Sequence, residues 1–145
     1  MLGVALLFIG AVLMVNGITL TGRIEPKDAA GLNLLVGILA FSLNMAGIAH
    51  ATKPPEYFAS AGGLFFAFTY LYLAAVQWFV LKGGGLGWYC LFVAVNAVVY
   101  PLVAHDVRLS AMWLAWASLW FLFFVSLGLQ HHVRYLGLTP LLSVW

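Results

Sequence analysis

The chain has 145 residues, of which 65% are apolar and 7% charged, and its mean hydropathy is +1.07. A soluble domain carries about 25% charged residues, so a lone water-soluble core is excluded, as is a disordered chain. Six basic and four acidic residues leave a net charge of +2, too sparse for a phosphate-tracking nucleic-acid surface. The composition is that of an all-α, polytopic membrane helix bundle. The single cysteine, Cys90, can form no internal disulfide and says nothing about compartment.

The first apolar stretch covers residues 2–20. No basic residue precedes it and no A-x-A pattern follows Val15, so it reads as a retained helix and not as a signal peptide. Arg23, Glu25, Lys27 and Asp28 follow, then a second stretch over 31–52, closed by Lys53 and Glu56. The third runs over 57–81 and ends at Lys82 and Gly83–Gly85, a flexible turn without the spacing of a phosphate-binding loop. The fourth covers 86–104 and stops at His105-Asp106-Val107-Arg108. The fifth covers 109–129 and stops at His131-His132-Val133-Arg134.

Every Lys, Arg, Asp and Glu falls between these stretches. Each stretch is roughly 19–25 residues long, enough to cross a 30 Å hydrocarbon layer at about 1.5 Å per residue. Tyr135 to Trp145 is apolar, and Thr139-Pro140 suits a helix start. A partial helix over 135–145 is too short to cross. Residues 1–145 therefore read as one transmembrane domain whose last stretch is either a sixth helix cut short, the favoured reading, or a tail lying in the interface. Lys and Arg number four in the odd connections (Arg23, Lys27, Lys82, Arg134) and two in the even ones (Lys53, Arg108). This excess places the odd connections in the cytoplasm and the N-terminus outside.

Polar residues within the spans are few. Asn16, Asn33, Asn44 and Asn96 either bond to neighbouring helices or face a water-containing path. Gly10, Gly17, Gly37 and Gly47 are expected at close helix contacts, and Pro101 is expected to kink or end the fourth helix. In the fifth span, Trp113, Trp116 and Trp120 lie within about a 60° arc, so three indoles share a face. In the third, Phe66 and Tyr70 are one turn apart. Interfacial aromatic belts explain Trp and Tyr near span ends, but Trp116, Trp120 and Tyr70 fall well inside. A mid-membrane indole N–H or phenol O–H left without a partner costs about 1–3 kcal/mol. The set fits either a lined cavity or an ordinary core.

The order of these segments is similar to that of a known family. Met1-Leu2-Gly3-Val4-Ala5-Leu6-Leu7, Val15-Asn16-Gly17-Ile18 and Glu25-Pro26-Lys27 resemble the opening of the AmiS/UreI family of urea and short-chain amide channels. Gly63 to Tyr72 resembles its third helix, Trp88 to Asn96 its fourth, Trp113 to Trp120 its fifth and Leu136 to Pro140 the entry to its sixth. The resemblance runs in order over nearly the whole chain.

It implies a homo-hexamer in the bacterial cell inner membrane, each protomer carrying its own pore. It implies a pore wall of Leu2, Leu6, Ile9 and Leu13 from the first helix, and Phe66 and Tyr70 from the third. Trp113, Trp116, Leu119 and Trp120 would complete it from the fifth. The family's sixth-helix glutamate would fall just after Trp145, beyond this sequence. Urea or small amides would be the solutes, and an amidase or urease in the cytoplasm a possible consumer. No enzyme activity, cofactor, metal site or nucleic-acid partner is implied.

A slot walled by Trp, Tyr and Phe can sandwich a flat, neutral amide, while a cation would lose several kcal/mol of solvation there. With no full charge inside the spans, conduction is expected to be passive. Some family members open in acid. Here the external connections and their edges offer only His50, Glu56, His105 and Asp106, so His50 and His105 are the candidate pH sensors and strong acid gating is not expected. His131-His132 reads as loop or C-cap chemistry, and Cys90 as a packing residue. Two alternatives stand beside the channel. One is a haem- or quinone-binding membrane anchor using His50, His105 or His131; the other is a non-conducting assembly subunit.

Overall fold

The structure, a computed structural model, describes residues 2–130, and these are helical apart from short connections. Six α-helices are present among them: α1 (Leu2–Leu20), α2 (Pro26–His50), α3 (Pro54–Phe79), α4 (Gly84–Ala97), α5 (Val99–Val103) and α6 (Val107–Phe123), which runs on into a π-helical turn at Phe124–Gly128. By length and composition they make five membrane spans, the fourth being α4 with α5 and the fifth α6 with the π turn. The expected partial helix over 135–145, and His131-His132, lie outside the described residues. The described residues form two compact units, 2–81 and 82–130.

In the first unit, α2 packs along α3 and α1 packs on α2. Helix α2 starts at Pro26, five residues before its apolar run begins at 31. Proline lacks only an N–H that the first helical turn leaves unbonded anyway, and Asp28 in that turn favours the positive helix end. After residues 51–53 the chain turns back at Pro54. The Glu56 carboxylate closes this turn, accepting hydrogen bonds from the Thr52 N–H (2.7 Å) and Lys53 N–H (3.1 Å). Helix α3 ends at Val80 in the left-handed region, φ 54°, a conformation that costs a β-branched residue free energy.

Small residues set the α2–α3 approach. A Cβ on Gly37 would stand 2.8 Å from Leu71, and one on Gly47 2.7 Å from the Ser60 hydroxyl; Gly63 lies against the Asn44 amide. Gly10 and Gly17 behave otherwise. Both are exposed, and a Cβ there would meet nothing within 4 Å among the described residues, so the described helices make no close contact at these two positions. The same helices are joined by a polar link. Asn33, fully buried, exchanges amide hydrogen bonds with Asn16 of α1 (2.9 and 2.8 Å) and donates to Gln77 Oε1 of α3 (2.9 Å). Asn44 and Asn96, in contrast, donate to carbonyls of their own helices, Ala40 and Phe92.

In the second unit, α4 packs on α6 and on the π turn, and α5 folds onto α6. The interruption at Val98 has a local cause. The ring of Pro101 occupies the place from which an N–H would reach the carbonyl four residues back, at Ala97. Helix α4 therefore stops at Ala97 and a short helix restarts at Val99. Asp106 caps α6, its Oδ1 accepting from the Arg108 N–H at 2.8 Å. At the far end Gly87 of α4 touches the backbone of Gly128, so that backbone meets backbone across the helix pair. Cys90 is buried between these elements and free.

Candidate functional site

The fifth-span indoles divide from the other described tryptophans by burial. Trp113 is 8% exposed and Trp120 4%, whereas Trp78 and Trp88 are 60% and 56% exposed; Trp116 is half-buried. Helical spacing places the three on one side of α6, and that side faces inward while Leu114 and Phe121 face out. Trp113 and Trp116 meet edge to face, ring centroids 5.3 Å apart at 88°. Leu119 is half-buried beside Trp120 in the chain. An apolar groove of about 460 Å³ between α4 and α6, lined by Leu91, Val95, Leu114 and Phe121, takes in none of the indoles.

One aromatic residue was not legible as part of this set. Tyr100, buried on α5, lies flat on Trp113 with ring centroids 4.0 Å apart at 18°. Its one sequence signal is its place immediately before Pro101 at the end of a span.

In the first unit, Phe66 and Tyr70 are one turn apart on α3 and both are buried, Tyr70 to 4% exposure. Among the described residues no hydrogen bond reaches the Tyr70 hydroxyl. Of the α1 residues, Ile9 is buried and Leu6 and Leu13 are half-buried. Leu2 opens α1, and its side chain lies outside the described structure.

Charged side chains within the helices are confined to first turns: Lys27 and Asp28 on α2, Glu56 on α3, Arg108 on α6. The candidate pH sensors lie at span ends. His50 closes α2 exposed, its Nδ1 2.8 Å from the Ala46 carbonyl, and His105 is exposed between α5 and α6. Neither points inward, as axial ligation of a haem within the bundle would need. Among the described residues no three His, Cys, Asp or Glu side chains gather as a metal site.

The family model described as AmiS/UreI family transporter matches residues 1–145. The chain is 39% identical over 146 residues to the Rhodococcus erythropolis protein carrying the name transporter protein AmiS2, covering 96% of this chain and 71% of that one. It is 40% identical over 134 residues to a Mycolicibacterium smegmatis protein assigned as an amidate substrates transporter, covering 89% of this chain and 63% of the relative. The chain thus spans under two thirds of that second relative. Among solved structures, the cryoEM structure of the Helicobacter pylori urea channel in its closed state matches with TM-score 0.83 and 32% identity, over 99% of this chain and 89% of that one. With five apolar helices and a family match along its whole length, this chain is a multi-pass membrane protein of the AmiS/UreI transporter family.

Proposed function

We propose that the protein is a passive channel for urea and short-chain aliphatic amides across the bacterial inner membrane. The observation that carries this reading is the inward burial of Trp113 and, at mid-span, of Trp120, while the exposed described tryptophans, Trp78 and Trp88, lie elsewhere. Lipid-facing or belt aromatics would be exposed or near span ends. Buried indoles and the Tyr70 phenol offer flat apolar faces and N–H or O–H donors. These could grip a planar amide and replace part of its hydration. The relatives assigned to amide and urea transport support the same solute class.

In this reading Trp116 and Trp120, with Trp113 and Leu119 beside them, line the solute path from the second unit. Tyr70, Phe66, Leu2, Leu6, Ile9 and Leu13 of the first unit are the positions to which the family resemblance gives the same role. The described helix interiors carry no full charge that could compensate a desolvated cation or relay a coupling ion, which supports downhill flux selective for neutral solutes. The protomers assemble as a homo-hexamer with the N-terminus outside. An amidase or urease in the cytoplasm would consume the solute and hold the gradient inward. In this reading the channel conducts at neutral pH, because the external connections and their edges offer an acid gate only His50, Glu56, His105 and Asp106. Stopped-flow light scattering on proteoliposomes tests the reading: urea and acetamide should equilibrate well above the empty-vesicle rate while a sodium gradient persists. Solute rates equal to those of empty vesicles would defeat it.

A further inference from the structure

The helix break ahead of the fifth span has a consequence for the indole set. Because α4 stops at Ala97, residues 99–103 form a separate turn of helix, with the Ala104 N–H bonding the Tyr100 carbonyl at 2.9 Å. The Ser110 hydroxyl donates to the Pro101 carbonyl at 3.4 Å and ties this turn to the start of α6. Tyr100 is thus held on a short anchored segment, and its ring covers the face of Trp113 almost in parallel. Trp113 in turn presents the T-shaped contact to Trp116. Tyr100, Trp113 and Trp116 form a continuous brace in which each ring limits the rotation of the next.

We propose that Tyr100 is a positioning residue: by stacking on Trp113 it fixes the plane of that indole, and through it Trp116, and so sets the largest amide that the passage admits. The inference rests on the channel reading. A planar ring at position 100 is what the brace requires; the tyrosine hydroxyl is not. Replacing the ring with a flexible aliphatic chain frees Trp113 to turn. Passage should then widen for larger solutes more than it changes for urea.

The test uses the full chain in proteoliposomes, comparing wild type, Tyr100→Phe and Tyr100→Leu for the ratio of butyramide to urea permeability. Near-ultraviolet circular dichroism supplies a readout of tryptophan packing that does not depend on conduction. Tyr100→Phe should keep the wild-type ratio and aromatic bands. Tyr100→Leu should raise the ratio about fivefold, the population shift expected from losing one aromatic stack, leave urea flux within about twofold and weaken the bands. If Tyr100→Leu does not fold, Tyr100→Met, which has similar volume and no planar face, carries the same expectation. An unchanged ratio in the folded aliphatic variant, or an equal shift in Tyr100→Phe, overturns the role of Tyr100. A wild type inert to both solutes defeats the channel reading instead.

Discussion

Asn16 and Asn33 face each other amide to amide across α1 and α2, each donating to the other's Oδ1 at 2.9 and 2.8 Å. Asn33 Nδ2 also lies 2.9 Å from Gln77 Oε1 and 3.0 Å from the Ala29 carbonyl, so its two N–H groups serve three acceptors and one is shared. Three helices meet on one amide. Interhelical hydrogen bonds in membranes average only about 0.6 kcal/mol each, but removing the central, fully buried partner takes a bond from both the Asn16 and the Gln77 amides.

Asn33→Ala is therefore expected to lower stability by about 2 kcal/mol, and Asn16→Ala by less, because Asn33 then keeps Gln77 and Ala29. Thermal unfolding in detergent measures both. Equal losses for the two variants would show that Asn33 is not the hub.

The glycines make a paired prediction. Gly87 touches the Gly128 backbone, which cannot rotate away as a side chain can, so Gly87→Ala should destabilise by about 2–3 kcal/mol or displace the π turn. Gly10 meets nothing among the described residues, and Gly10→Ala should leave protomer unfolding unchanged or raise its midpoint, since alanine is the better helix former. A midpoint insensitive to Gly87→Ala would contradict the close crossing.

The Ser126 hydroxyl is buried in the π turn and has no hydrogen-bond partner among the described residues. A buried orphan hydroxyl costs stability, so Ser126→Ala should raise the unfolding free energy by about 1 kcal/mol. A loss of similar size would show that the hydroxyl is bonded in the membrane.

Much of this architecture is legible in the sequence because lipid penalises charge: every full charge falls outside the apolar stretches, and the spans can be read directly from the gaps. The shared face of Trp113, Trp116 and Trp120 follows equally from helical period. What is not legible depends on which helices meet. Asn33 finds Asn16 and Gln77, 17 and 44 residues away, and no local pattern encodes that choice. Tyr100 reaches Trp113 only because Pro101 breaks the helix three residues earlier, at Val98. Gly10 and Gly37 are alike in sequence context, yet Gly37 lies against Leu71 and Gly10 against nothing among the described residues. The early start of α2 escapes a hydropathy reading because its first turn carries Lys27 and Asp28, and helix formation does not require apolar residues.

The even connections bear on acid response. His50 and His105, the candidate pH sensors, are exposed at span ends and do not line the proposed passage. Urea flux into proteoliposomes at pH 7.5 should lie within about twofold of that at pH 5.5. Flux present only at the lower pH would establish an acid-opened gate.

Trp120 offers the sharpest test of the indole wall. In proteoliposomes, Trp120→Ala should admit butyramide at least about fivefold faster relative to urea than wild type does, because an indole filling the slot gives way to a methyl group. A Trp120→Ala protein that folds and keeps the wild-type rates for urea, acetamide and butyramide would remove the buried indoles from the solute path and, with them, the mechanism proposed for this chain.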